Sequence, residues 1–329
     1  MLWMFYLSCG ASIDPLLFSG VVHCEDLETN YDAVCVDQSY WDRVCTGCDE
    51  EYPWGRDYEW MPNTLDETVT SVRPITVYEQ HKLTTSDGEG ELDLYYIPSH
   101  GENPKVANTL MVYSHGRFGN VEHYLHRTRF LHEAGYAQLI WDYRGYGKSQ
   151  PNSVASAEVF VRDAREVLAF SPTVAPDPGR IIIYGQSLGA IAAVEMAIAA
   201  QNGDIDVQPC AMFLESGVTS TRQGVESITS LSVPGSFVSQ GYFEVDQHIA
   251  KYEGPLFMMH GTADLYFIIE HVRENYESAP GPKALWEAEG VEHGIEPNGG
   301  IPEDGLGEYF AQMENFLDTI APACIAQSE

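Results

Sequence analysis

Gly185-Gln186-Ser187-Leu188-Gly189 constrains this chain more than any other stretch. It follows an apolar, β-branched run, Ile181-Ile182-Ile183-Tyr184, and precedes a small-residue run from Ala190 to Ala197. The first reads as a buried strand and the second as a helix. A strand joined to a helix through G-x-S-x-G puts the serine at the tip of a sharp, strained turn. Glycines two residues to either side leave room for the elements packed around it. In this setting the motif reads as a nucleophile elbow; without the flanking strand and helix it would be a chance turn.

The rest of the chain fits an alternating fold. Pro74–Thr84 and Leu92–Pro98 read as antiparallel strands around Ser86-Asp87-Gly88. Short apolar runs at Thr109–Ser114, Ala137–Trp141, Arg180–Tyr184, Ala211–Leu214, Leu256–His260 and Lys283–Ala288 read as buried parallel strands. Helical periods fill 122–134, 154–170, 188–201, 268–279 and 306–320. This pattern predicts an α/β class fold, a mostly parallel central sheet with helices on both faces.

A serine hydroxyl needs a base, an acid to orient that base, and donors for an oxyanion. His293, in Gly290-Val291-Glu292-His293-Gly294 after the last predicted strand, is the favoured base. His248 and His271 read as surface residues, and His260 as a residue shaping the turn at Gly261. Asp264, in His260-Gly261-Thr262-Ala263-Asp264, is the favoured orienting acid. Its competing reading is a cap on the next helix. Asp246 and Glu244 rank below it because no strand end precedes them, and Glu215 could support the site instead. The oxyanion donors are expected to be the backbone amides of Leu188 and Arg117, the latter in Ser114-His115-Gly116-Arg117-Phe118-Gly119-Asn120.

His115–Asn120, Asp142-Tyr143-Arg144-Gly145-Tyr146-Gly147-Lys148-Ser149, Gly185–Gly189, His260–Asp264 and His293-Gly294 occur in order. Together they resemble the α/β-hydrolase superfamily, within it the serine hydrolases of the Bem46 and related abhydrolase-domain group. The resemblance covers about residues 73–320. It implies an α/β-hydrolase fold, a Ser187-Asp264-His293 triad, no cofactor and no metal, and a purely structural turn at Asp142–Ser149. Two departures stand out: Arg117-Phe118 where small or amide residues are commoner, and a long 294–305 insertion.

Residues 1–72 have no counterpart in it. They hold Cys24, Cys35, Cys45 and Cys48, many acids and a run of aromatics, and are expected to form a small disulfide-rich N-terminal extension before a hydrolase domain at 73–329. A zinc site is the weaker reading of those cysteines. Cys210 and Cys324 are candidates for a further bridge. Cys9, after the apolar run Met1–Leu7, resembles a lipoprotein processing site and is the lipid-anchor candidate. Residues 216–251 are too few for a large lid. Within them Val218, Phe237, Tyr242 and Phe243 either line an acyl pocket, together with Phe118 and Tyr266, or pack a helix.

With 17 basic and 49 acidic residues the net charge is −32, which makes nucleic acid and anionic membrane surfaces poor partners. No run of about 20 apolar residues suggests a transmembrane span. The expectation is therefore an acidic serine esterase acting on a small-molecule or acylated substrate. Its expected location is extracytoplasmic, either secreted or lipid-anchored in a bacterial envelope. A peptidase or acyl-thioesterase on the same triad is the alternative. A non-catalytic binding or adhesion protein is the alternative from another class.

Overall fold

The computed structural model describes residues 75, 77–117, 120–151, 155–217, 245–293 and 306–326. Eight strands form one sheet: β1 Glu79–Thr84, β2 Glu91–Ile97, β3 Leu110–Ser114, β4 Ala137–Trp141, β5 Ile181–Gln186, β6 Ala211–Glu215, β7 Leu256–Gly261 and β8 Lys283–Ala288. Their spatial order is β1-β2-β4-β3-β5-β6-β7-β8. The β1–β2 and β2–β4 pairs are antiparallel, and every pair from β4–β3 through β7–β8 is parallel. The helices are α1 Leu125–Ala134, α2 Ala157–Phe170, α3 Gly189–Asn202, α4 Val245–Ile249, α5 Ile269–Ser278 and α6 Leu306–Thr319.

Alternation along the strands builds two cores. Leu110, Val112, Ile181 and Ile183 face one way, against α2, α3 and α4. Met111, Tyr113, Ile182 and Tyr184 face the other way, against α1 and α6. Strands buried on both faces must be apolar throughout, which is why β3 to β7 read as unbroken hydrophobic runs. Helix α3 is buried on every side from Gly189 to Ala200. Its Gly/Ala content lets it lie close to β5 and α2. Its single buried acid, Glu195, is paired with Arg165 at 3.0 Å and His248 at 2.7 Å.

The Asp142–Ser149 segment serves architecture. Arg144 bonds Asp87 in the β1–β2 turn and Asp163 on α2, so one guanidinium ties three segments together. Tyr143 stacks on His115 at 4.1 Å.

The structure corrects the expected disulfide-rich N-terminal extension. The bridge among the described residues joins Cys210, just before β6, to Cys324 in the turn Pro322–Cys324, 114 residues later. It lies in the body of the hydrolase fold, where the two Cα atoms stand 5.4 Å apart. Cys324 is fully buried. Its carbonyl accepts a bond from Thr109 Oγ1, and Ala326 N donates to Lys105 O. The cross-link therefore staples the C-terminal segment to the entry ends of the central strands rather than supporting a core-poor appendage. Cys9, Cys24, Cys35, Cys45 and Cys48 lie outside the described residues, as does the expected extension itself.

Candidate active site

β5 ends at Gln186, and the chain turns at Ser187 with φ of 50°, a left-handed conformation that a non-glycine residue adopts only under constraint. Packing supplies that constraint. Ser187 N donates to Glu215 O at 2.9 Å, continuing the ladder to β6, and α3 begins two residues on. A Cβ at Gly185 would stand 2.4 Å from Gly189 O, and one at Gly189 would stand 1.9 Å from Ser114 O. Both glycines of the motif are therefore required by close approach of backbone.

Asp264 and His293 follow β7 and β8. His293 Nε2 lies 2.9 Å from Ser187 Oγ, and His293 Nδ1 lies 2.7 Å from Asp264 Oδ2. Asp264 Oδ1 accepts the amides of Tyr266 at 2.8 Å and Phe267 at 2.9 Å. The base reaches back over the sheet because its loop crosses the end of β7. Ala263 N donates to Val291 O at 3.0 Å, and a Cβ on Gly261 would stand 2.0 Å from that same oxygen.

Ser187, His293 and Asp264 are all buried. Burial alone would raise the Asp264 carboxyl. Hydrogen bonds from His260 and His293, the His293 charge, and the Phe267 amide outweigh it and hold the group well below the usual carboxylate range. The acid is therefore ionised wherever the site works. It fixes the Nδ1–H tautomer of His293 and leaves Nε2 free to accept the serine proton.

The expected oxyanion loop lies beside the nucleophile. A Cβ on Gly116 would stand 3.4 Å from Ser187 Cβ, which puts the 115–117 backbone against the serine. Leu188 precedes the first turn of α3. His115 is stacked between Tyr124 and Tyr143 with Nδ1 on Gly116 O at 2.7 Å, a loop-holding position. Tyr266 is half-exposed with its ring 5.3 Å from that of His293. Phe118, Val218, Phe237, Tyr242 and Phe243 lie outside the described residues. Glu215 is buried and takes the Tyr184 hydroxyl, which also meets Tyr309 Oη at 2.9 Å.

Sequence reasoning missed the position of His260. It does more than shape a turn: its Nε2 lies 2.6 Å from Phe267 O and 3.2 Å from Asp264 Oδ2. The only signal was the four-residue spacing to Asp264, which says nothing of how the loop folds back.

A strained serine on a strand–helix turn, with an imidazole and a buried carboxylate in line, defines a serine hydrolase. Comparison with known proteins agrees. The profile of the family described as "Serine aminopeptidase, S33" matches residues 105–230. Protein YfhR of Escherichia coli O157:H7 is 28% identical over 210 residues, covering 63% of this chain and 70% of YfhR. Protein bem46 of Schizosaccharomyces pombe is 32% identical over 188 residues, 56% of this chain and 59% of that protein. Among solved structures, a Pyrococcus furiosus esterase superposes with a TM-score of 0.57 at 21% identity, covering 75% of this chain and 91% of its own. Thermogutta terrifontis esterase 2, in a form phosphorylated by paraoxon, gives 0.56 at 20% identity, covering 78% and 98%. The fold is that of the α/β-hydrolases, and within it the chain is similar to the S33 family over residues 105–230 and to bem46 over 188 residues.

Proposed function

We propose that this hydrolase cleaves carboxylic esters of small or acylated substrates through an acyl-enzyme. The observation that carries the reading is the continuous path Ser187 Oγ to His293 Nε2 at 2.9 Å and His293 Nδ1 to Asp264 Oδ2 at 2.7 Å. His293 takes the Ser187 proton as Oγ bonds to the acyl carbon. The Leu188 and Arg117 amides receive the oxyanion. His293 then protonates the departing alkoxide, and a water activated by the same imidazole releases the acid. The solved relatives named above are esterases, one of them modified by an organophosphate, which supports an ester substrate and a phosphylatable serine. No helix among the described residues is long and apolar enough to cross a membrane.

Amide cleavage is the second reading, favoured by the aminopeptidase description of the matching family. A panel of p-nitrophenyl esters, acyl thioesters and aminoacyl anilides separates the two by leaving group. A fluorophosphonate probe tests the nucleophile itself. The wild type labels and Ser187→Ala does not; undiminished labelling of Ser187→Ala removes Ser187 from the mechanism.

An extracytoplasmic location belongs to the same proposal. It is supported by the Cys210–Cys324 bridge, which persists in oxidising compartments, and by the acidic surface charge. Lipid attachment at Cys9 is tested by the mass of the mature chain.

A further inference from the structure

The triad acid carries two histidines. Asp264 Oδ2 faces His293 Nδ1 at 2.7 Å and His260 Nε2 at 3.2 Å, while Oδ1 is taken by two amides. The carboxylate thus meets about as many donors as its lone pairs can serve. Chemistry fixes the His260 tautomer. Phe267 O, 2.6 Å from His260 Nε2, can only accept, so Nε2 carries the proton and shares it between that carbonyl and Asp264 Oδ2. The other nitrogen, Nδ1, is buried with no hydrogen-bond partner. A buried imidazole with one nitrogen unserved has a cost, which the work of the other nitrogen must offset.

We propose that His260 is a positioning residue of the catalytic site. Its Nε2–H ties the Phe267 carbonyl to Asp264, closing the 264–267 turn whose amides hold Oδ1, and it draws charge from the oxygen that His293 uses. The inference rests on the Ser187-His293-Asp264 reading and extends the relay by one member. Two consequences follow. Without the donor, the turn that aims the carboxylate loosens and turnover falls. The full carboxylate charge is then focused on His293, so its imidazolium is favoured to a higher pH.

The charged groups around His260 leave Asp264 as its dominant partner. β8 places Glu287 opposite it in register, but Arg273 of α5 takes that carboxylate at 2.7 and 2.6 Å. β6 places Glu215 opposite Met259, one residue away, where its carboxylate takes Tyr184. The loop after β8 brings His293 to the shared oxygen.

The test compares His260→Leu, which removes the donor, with His260→Gln, whose amide places a donor near the Nε2 position. The pH dependence of kcat/KM is read on a p-nitrophenyl ester. In His260→Leu we expect kcat to fall with KM little changed and the acid limb to move up by about half a pH unit, a fraction of the effect of a full hydrogen bond to a charged group because the 3.2 Å contact to Asp264 is shared with Phe267 O. His260→Gln restores the limb and most of kcat. An unmoved or downward limb in His260→Leu, or a His260→Gln as impaired as His260→Leu, overturns the proposal. A measurement on wild-type enzyme covers the case in which the variants do not fold. In histidine-15N spectra, a proton on His260 Nε2 supports the proposal and an unprotonated Nε2 overturns it. Failure of the triad reading is distinguishable, because it would appear as fluorophosphonate labelling that survives Ser187→Ala or is unaffected by His293→Ala.

Discussion

Asp264→Asn exposes how the site sets a tautomer. The two amides on Oδ1 force the choice of rotamer in the variant. The asparagine oxygen must stay with them, because turning the amide over would aim its NH2 at two N–H donors and leave both unserved, at about 1–3 kcal/mol each. The new NH2 therefore occupies the Oδ2 position, facing His293 Nδ1 at 2.7 Å and His260 Nε2 at 3.2 Å. Facing a donor, His293 must present a bare Nδ1 and carry its proton on Nε2, toward Ser187. It then cannot accept the serine proton. Where this tautomer is imposed on a serine triad, kcat falls about ten-thousandfold, or about 5 kcal/mol of transition-state stabilisation. The clash with the His260 donor adds a fall in Tm. The assay is kcat/KM on p-nitrophenyl acetate, with the fluorophosphonate labelling rate as a second readout. A loss smaller than about tenfold, in a variant shown by circular dichroism to be folded, would refute the reasoning.

Three further outcomes are expected. Gly189→Ala, whose Cβ would stand 1.9 Å from Ser114 O, cannot form the elbow without a backbone shift; fluorophosphonate labelling should vanish and stability fall by about 1–3 kcal/mol in urea titration. Reducing Cys210–Cys324 releases a 114-residue loop, and chain entropy sets the loss at up to about 5 kcal/mol. A urea midpoint that does not move with reductant would contradict this. Burial pushes the Asp163 carboxyl from 3.8 up to about 6 despite its pairing with Arg144. Between those pH values the folded state keeps a proton the unfolded chain has lost, so this group's contribution to stability falls as pH rises, by at most about 3 kcal/mol. Asp163→Asn should remove that slope, and an unchanged pH profile of stability in the variant would count against it.

What the sequence revealed follows from which interactions are local. β3 to β7 were legible because strands buried on both faces carry unbroken apolar runs, β8 as a half-buried run at the sheet edge, and Ser187, Asp264 and His293 because each follows a strand end in a fixed order. β1 begins at Glu79 rather than Pro74: an edge strand with its exposed face in solvent has no hydrophobic signal to mark its start. α4, at five residues, is too short to show a helical period, yet Val245 and Ile249 are buried in the core. The clustered cysteines drew the disulfide framework toward the N-terminus; the observed bridge is the Cys210–Cys324 pair that the sequence offered as a further candidate, 114 positions apart, and only the fold shows that those two meet. His260 was misread for the same reason, since its partner carbonyl at Phe267 comes within reach only through the fold of the intervening turn.

In the sheet, β5 and β8 are separated by β6 and β7, three inter-strand spacings or about 14 Å. The imidazole that follows β8 nevertheless touches the serine that follows β5, by way of a span laid across Gly261. Residues 289–293 therefore act as a ruler. One residue added or removed there shifts the ring by about 3.3 Å, more than any hydrogen bond tolerates.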